Sequence, residues 1–271
     1  MSGIASVFNM LKQKKEGAYI PYICAGDPTM SFSLRLIKAL SDAGADIMEI
    51  GMPFSDPIAD GPLIQGAMQR SIAGKFKTSD IFRLISEARG MGIKQPMVVM
   101  TYYNSIMQKG LESFCSELRR SGGDGILVVD LLPEDSAELD AAASGQELDM
   151  IRLIATNTPE KRIENILSKS SGFVYVVSVA GITGIRSGIP QSAFDTIARV
   201  RRKGDFPLAL GFGISSPDDV SSAIRAGASA AVEGSKLISI YESKKDNEAE
   251  ALAEVKEHAS AMKAATRNET Q

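Results

Sequence analysis

Short apolar runs alternate with amphipathic segments along most of the chain. The apolar runs are bounded by glycine, proline or aspartate, which is typical of strands buried on both faces of a parallel sheet. The segments between them place apolar residues at helical spacing, as Leu36, Ile37, Leu40 and Ala43 do. The pattern predicts strands over 19–24, 46–50, 97–101, 125–129, 150–154, 173–178, 208–211 and 228–232. It predicts helices over 32–43, 62–73, 79–90, 111–121, 133–143, 159–168, 191–202 and 217–226.

Eight strand–helix units with short connections predict one closed parallel barrel, the (β/α)8 or TIM barrel. We therefore expect a single α/β domain over residues 1–271. An extra amphipathic helix is predicted at 1–17, and a polar C-terminal helix with a frayed end at 242–271. In such a barrel the active site lies at the carboxyl ends of the strands.

The most informative stretch runs from residue 44 to residue 65 and reads GADIMEIGMPFSDPIADGPLIQ. Glu49 interrupts an otherwise apolar strand, and a buried carboxylate needs a partner or a chemical role. Asp60 ends the proline-rich loop that follows. Two structural interpretations stay open at this point: Glu49 could form a buried ion pair, and Asp60 could cap the helix beginning near Pro62.

Three glycine-rich segments follow the last three predicted strands, at 181–184, 211–214 and 233–235. Each alone is more typical of a tight turn. Together they favour a phosphate site, because barrels commonly bind phosphate in the loops after strands seven and eight, at a helix N-terminus.

Composition narrows the chemistry. A net charge of −3 gives no indication of nucleic acid or a membrane surface as partner, and residues 1–17 lack the pattern of a secretory signal. Cys24 and Cys115 make no disulfide framework and fit a cytoplasmic protein.

The single histidine, His258, is predicted to lie on the surface of a polar helix. With one histidine, a zinc site or a Ser-His-Asp triad is disfavoured, so acid–base chemistry falls to Glu, Asp, Lys or Tyr.

The 44–65 motif resembles that of the tryptophan synthase alpha subunit family. PYICAGDPT, MTYYNSI, GGDGILVVDLLPED, VYVVSVAGITG, ALGFGISSPDDV and VEGSKLI extend the resemblance, in order, over about residues 19–240. It implies retro-aldol cleavage of indole-3-glycerol phosphate to indole and glyceraldehyde 3-phosphate. It also implies a beta subunit as partner in an alpha2-beta2 heterotetramer, with pyridoxal phosphate only in that partner and no cofactor or metal in this chain.

The resemblance also assigns individual residues. The catalytic residues would be Glu49 as proton shuttle, Asp60 as the carboxylate facing the indole N–H, and Tyr175 as a positioning group. The other implied residues are Gly184, Gly213, Gly234 and Ser235 for the phosphate, Tyr22, Met100, Tyr102, Leu127, Thr183, Phe212 and Val232 for the indole pocket, and Pro53, Asp56 and Pro57 for the partner contact.

The chain departs from the family pattern at several positions. Tyr22 replaces a usual phenylalanine, Met100 a frequent leucine, and Leu132 a usual proline. Glu233 replaces a small or apolar residue beside the phosphate glycines, so its carboxylate should point away from the anion. Three alternatives stay open: another phosphate-binding barrel enzyme, a stand-alone lyase that releases indole, and a non-catalytic activator of a beta-type partner.

Overall fold

Eight parallel strands close a barrel in chain order, and the last strand pairs with the first. The computed structural model describes residues 2–177, 188–211 and 213–267. The strands are β1 (Ala18–Cys24), β2 (Met48–Gly51), β3 (Met97–Thr101), β4 (Gly125–Val128), β5 (Asp149–Ala155), β6 (Val174–Val177), β7 (Leu208–Gly211) and β8 (Ala230–Glu233). The predicted fold class and all eight strands are confirmed, with ends that shift by two residues or fewer.

Helices surround the barrel, and those from α2 to α10 lie between successive strands. They are α1 (Gly3–Lys14), α2 (Met30–Asp42), α3 (Pro62–Ala73), α4 (Thr78–Gly90), α5 (Tyr103–Lys109), α6 (Leu111–Ser121), α7 (Ala137–Ser144), α8 (Glu160–Ser168), α9 (Gln191–Arg201), α10 (Pro217–Arg225), α11 (Ser235–Ser243) and α12 (Glu248–Ala264).

Two helical predictions need correction, and one helix was not predicted. The segment 133–143 is a short 3-10 turn (Pro133–Asp135) followed by α7, because the Ser136 hydroxyl donates to the Pro133 carbonyl oxygen at 3.0 Å and closes that turn locally. The C-terminal helix begins at Glu248 rather than at residue 242, since the Asn247 side chain caps it by accepting from Glu250 N. Helix α5 was not predicted; its few residues lack apolar periodicity.

Strand register decides which side chains share the barrel interior. Tyr22 on β1 lies beside Glu49 on β2, and Glu49 lies beside Val98 on β3. Paired residues of parallel strands point to the same face, so Tyr22 and Glu49 share one face of the sheet.

Within the described part of the chain, no helix is long and apolar enough to span a membrane.

Two glycines make room for tyrosines in this interior. A Cβ built on Gly51 would lie 2.1 Å from the Tyr22 hydroxyl, and one on Gly211 would lie 1.9 Å from the Tyr175 hydroxyl. Both distances are far shorter than a van der Waals contact. Any larger residue at Gly51 or Gly211 would displace a tyrosine that stands next to Glu49 or faces it.

Candidate active site

Glu49 stands near the end of β2 with its side chain buried. Its Oε2 atom has no hydrogen-bond partner, and no cation of the described residues forms an ion pair with it. The buried ion-pair interpretation is therefore wrong for the described chain. Loss of solvation, followed by the nearby charge of Asp60, raises the pKa of Glu49 from 4.5 to about 8. A carboxyl group of this kind holds a proton at neutral pH and can donate it.

Asp60 is the second buried carboxylate, in the loop between β2 and α3. The interpretation of Asp60 as a helix cap is wrong, because the N-cap of α3 is Gly61 and no cap hydrogen bond from a side chain is formed there. One oxygen, Oδ2, accepts a 2.7 Å hydrogen bond from the Tyr102 hydroxyl, and the other, Oδ1, has no partner among the described residues. Burial raises the pKa of Asp60 to about 6, although the Tyr102 bond opposes this shift. Asp60 is thus mostly ionised where Glu49 is protonated.

Tyr102 holds the loop that carries Asp60. Its hydroxyl oxygen accepts from Ala59 N at 3.1 Å while its proton goes to Asp60. Its ring stacks on Phe54 with centroids 4.7 Å apart and planes at 17°. Gln65 Nε2 donates to the Asp60 carbonyl oxygen at 2.7 Å and secures the end of the loop. Sequence reasoning placed Tyr102 in the indole pocket; the structure adds a direct bond to a catalytic candidate.

Two more tyrosines surround the carboxylates. Tyr175 on β6 and Tyr22 on β1 are buried, and burial raises the pKa of both phenols. The charges of Glu49 and Asp60 raise the pKa of Tyr175 further. The Tyr22 hydroxyl has no partner within the described chain. Both phenols stay neutral and can serve as hydrogen-bond donors inside an apolar barrel.

The predicted indole pocket has an apolar lining in the part that is described. Met100 on β3 and Leu127 on β4 are register partners, and Met100 also pairs with Gly51. Val232 on β8 pairs with Ile20 of β1. All three are buried. Thr183 and Phe212 lie outside the described residues, so their assignment to the pocket stays a prediction.

The predicted phosphate end is partly visible. Gly213 has φ +86°, a conformation that favours glycine. Gly234 is the N-cap of α11, which Ser235 begins, so the first backbone N–H groups of α11 have no intrahelical acceptor. A Cβ on Gly234 would lie 3.2 Å from the Tyr22 ring, which brings this turn next to the pocket. Gly184 lies outside the described residues.

The rim beside the site exposes apolar side chains. Asp56 is exposed and accepts from the Ser55 hydroxyl at 2.6 Å, while Pro53 and Pro57 are half-buried. Sequence reasoning missed Ile58 and Met107, which are 78% and 56% exposed; Leu132, noted only as a departure, is 51% exposed. The three residues follow β2, β3 and β4, which are neighbours in the barrel. Exposure of large apolar groups on one rim indicates a contact surface.

His258 corrects another prediction. It was expected on the surface, but its side chain is only 16% exposed and its Nε2 lies 2.6 Å from Glu233 Oε1. The other oxygen of Glu233 accepts from the Tyr19 hydroxyl at 2.5 Å. The polar sequence of α12 gave no indication of this contact.

Among the described residues, no cluster of His, Cys, Asp and Glu could hold a metal ion.

Comparison with known proteins identifies the family. Residues 8–267 match the family described as "Tryptophan synthase alpha chain". The tryptophan synthase alpha chain of Methanosarcina acetivorans is 42% identical over 239 residues, covering 88% of this chain and 86% of that relative. That of Carboxydothermus hydrogenoformans is 40% identical over 250 residues, covering 92% and 93%.

Solved structures agree with the sequence relatives. The tryptophan synthase of Mycobacterium tuberculosis in space group F222 superposes with a TM-score of 0.90 at 30% identity, covering 98% of each chain. Tryptophan synthase subunit alpha from Legionella pneumophila gives a TM-score of 0.91 at 29% identity and covers 99% of each chain. This chain therefore belongs to the tryptophan synthase alpha chain family.

Proposed function

We propose that this chain cleaves indole-3-glycerol phosphate to indole and glyceraldehyde 3-phosphate, the alpha reaction of tryptophan synthase, and passes indole to a beta subunit for L-tryptophan synthesis. The observation that carries the proposal is the pair of buried carboxylates, Glu49 and Asp60, each with an unpartnered oxygen, in a barrel with an apolar interior. Their separated pKa values provide one acid and one anion at neutral pH.

The chemistry follows from these two states. Protonated Glu49 gives its proton to the ring carbon that bears the glycerol phosphate chain. Ionised Asp60 accepts a hydrogen bond from the indole N–H and stabilises the positive charge that develops on the ring nitrogen. Glu49, now a carboxylate, takes the proton of the adjacent side-chain hydroxyl. The carbon–carbon bond breaks, its electrons return to the ring, and the hydroxyl carbon becomes the aldehyde.

Other residues bind and orient the substrate. Gly213, Gly234 and Ser235, with Gly184, would bind the phosphate through backbone N–H groups and the N-terminus of α11. Tyr22, Met100, Leu127 and Val232, with Thr183 and Phe212, would enclose the indole ring. Tyr175 would orient the substrate or Glu49, and Tyr102 would keep Asp60 in place.

The two carboxyl groups predict a bell-shaped pH dependence. The value of kcat/KM should rise as Asp60 ionises, through about pH 6, and fall as Glu49 loses its proton, through about pH 8. Initial rates of glyceraldehyde 3-phosphate release, measured at constant ionic strength, would show both limbs. A profile that stays flat across both values would contradict the assigned protonation states.

The direct test of function is an assay of the purified chain with indole-3-glycerol phosphate, alone and with a beta subunit. Cleavage that rises sharply with the partner supports the coupled reaction. Strong cleavage by the chain alone favours a stand-alone lyase. If neither condition gives cleavage while the partner is bound and activated, the chain is a regulatory subunit.

We propose an alpha2-beta2 assembly in the cytoplasm, with pyridoxal phosphate bound only by the beta subunit and with catalysis in this chain carried by its own side chains. Both cysteines are buried and free, which fits a reducing compartment. Pro53, Asp56 and Pro57 would contact the partner on the rim that also exposes Ile58, Met107 and Leu132. Direct transfer suits indole, because a small apolar molecule otherwise escapes across membranes.

Replacing Leu132 with serine should weaken binding of the beta subunit about tenfold, since the exposed side chain loses its apolar contact with the partner. Titration of the labelled chain with the beta subunit measures this change. Met91→Ser is the matched control: Met91 is also exposed but follows the C-terminus of α4, at the opposite end of the barrel. Equal affinity for both variants and the wild type would exclude Leu132 from the interface.

A further inference from the structure

A buried carboxylate outside the barrel interior has no part in the chemistry described above. Glu233 ends β8, and both of its oxygens accept hydrogen bonds: Oε2 from the Tyr19 hydroxyl at 2.5 Å and Oε1 from His258 Nε2 at 2.6 Å. Its side chain is fully buried. A carboxylate is buried at low energy only when strong donors satisfy it. Glu233 is therefore fixed between β1 and α12.

This fixed residue immediately precedes the turn assigned to phosphate. Gly234 is the N-cap of α11 and Ser235 its first residue. On one side, the Tyr22 ring lies 3.2 Å from where a Gly234 Cβ would stand. On the other, Glu233 is held by Tyr19 and His258, and its backbone pairs with Pro21 of β1. The turn is thus held from both faces of the barrel wall.

The direction of the Glu233 side chain decides whether its carboxylate faces a phosphate bound at the adjacent turn. Its neighbours along β8 alternate between the two faces of the sheet, and Val232 pairs with Ile20 while Glu233 pairs with Pro21. Its carboxylate is directed to the side chains of Tyr19 and His258, on the face of β8 opposite to that of Val232. A bound phosphate at Gly234 and Ser235 would therefore meet backbone N–H groups and not the carboxylate.

We propose that Glu233 is a positioning residue for the substrate's phosphate: anchored by Tyr19 and His258, it fixes the Gly234–Ser235 turn in the geometry that binds the anion. This inference rests on the proposed function, because that function places the phosphate at this turn. Glu233 touches no substrate and acts through the backbone. Since the phosphate does not react, loss of the anchor weakens substrate and transition state equally, and the effect falls on KM rather than kcat.

The kinetic test uses the full chain with its beta subunit. For Glu233→Ala we expect KM for indole-3-glycerol phosphate, and the inhibition constant of inorganic phosphate, to rise about tenfold, with kcat within about twofold. Glu233→Gln should restore most of the affinity, because the amide keeps the length of the side chain and can bond to Tyr19 and His258. Glu257→Gln, an exposed change on α12, is the matched control and should equal the wild type.

Two variants keep the proposal testable if Glu233→Ala does not fold. Tyr19→Phe and His258→Gln leave the carboxylate in place and disturb one of its two anchors. Each of these variants should raise the inhibition constant of inorganic phosphate, but by less than Glu233→Ala does. Wild-type KM and inhibition constants in both variants would overturn the proposal, and so would a loss of kcat with KM unchanged in any Glu233 variant.

His258 also supplies a spectroscopic test, because it is the only histidine in the sequence. Its imidazole NMR signals should shift when inorganic phosphate is added to the wild type, and should not shift in Glu233→Ala. Inhibition by phosphate without any shift of these signals overturns the role of Glu233 alone. If inorganic phosphate neither binds to the wild type nor inhibits it, the proposed phosphate site itself is overturned. The two failures can therefore be distinguished.

Discussion

Replacing Glu49 with glutamine should lower kcat for indole-3-glycerol phosphate cleavage by about 10²–10⁴-fold, the usual contribution of a positioned acid–base group. The amide has nearly the same size but can neither give a proton to the ring carbon nor take one from the hydroxyl. Substrate affinity should change little, because the residues proposed to bind the phosphate and the indole ring are unchanged. Single-turnover release of glyceraldehyde 3-phosphate, together with equilibrium binding of the substrate, separates the two effects.

The same variant should show that the loss comes from chemistry and not from unfolding. Glu49 has a folded pKa of about 8, above its ordinary 4.5, so the wild type loses stability as pH rises between these values. The neutral amide does not ionise, so its stability does not fall in this way. As the pH rises from 4.5 to about 8, Glu49→Gln should therefore become more stable than the wild type. Urea unfolding at several pH values measures it. Near-normal turnover, or a destabilised variant at alkaline pH, would contradict the role given to Glu49.

Replacing Asp60 with asparagine should lower kcat by about 10²–10³-fold, because the variant lacks the negative charge that we propose stabilises the ring nitrogen. The fold should survive, since an amide oxygen can still accept the Tyr102 hydrogen bond. The alkaline limb of the pH profile should move to lower pH while staying above the ordinary range of glutamate. The reason is that the Asp60 charge contributes to the raised pKa of Glu49, whereas burial contributes more.

Asp130→Asn is a matched control for this experiment. Asp130 is an exposed carboxylate shortly after β4, where it accepts from Tyr103 N at 2.8 Å. The Asp130→Asn change also removes one negative charge at the same end of the barrel, but that charge is exposed. If Asp130→Asn and Asp60→Asn reduced turnover equally, the effect of Asp60 would be a general loss of charge, and its assignment to the indole nitrogen would be wrong.

Both expectations depend on the environment of the carboxylates more than on their identity. Glu49 and Asp60 have ordinary side chains, and burial raises the pKa of both. Their protonation states at neutral pH diverge because the Asp60 charge raises the pKa of Glu49 further, whereas the hydrogen bond from Tyr102 lowers that of Asp60. The exposed residues Asp56 and Asp130 have no comparable burial. Burial inside the barrel, together with the different neighbours of the two groups, therefore makes one carboxyl group an acid and the other an anion at neutral pH.

The sequence by itself determined the barrel, the position of its strands and the two carboxylates of interest. Alternation of apolar runs and helical segments is a local property, because each strand buries both faces and each helix one. Glu49 was visible as a charge inside such a run, and Asp60 as the end of a loop that prolines exclude from helix and strand. Local patterns failed where short-range bonding redirects the chain, as Ser136 does before α7.

Only the tertiary structure decided which side chains meet. Tyr102 bonds to Asp60 across 42 positions, Tyr19 to Glu233 across 214, and His258 to Glu233 across 25. None of these pairs follows from spacing. The Tyr102 bond depends on the pairing of β2 with β3, and the Tyr19 bond depends on the closure of β8 against β1. The polar sequence around His258 predicts that this side chain is exposed, yet in the folded protein it is largely buried against Glu233. Burial and pairing are properties of the assembled barrel, and they set the charges on which the proposed chemistry depends.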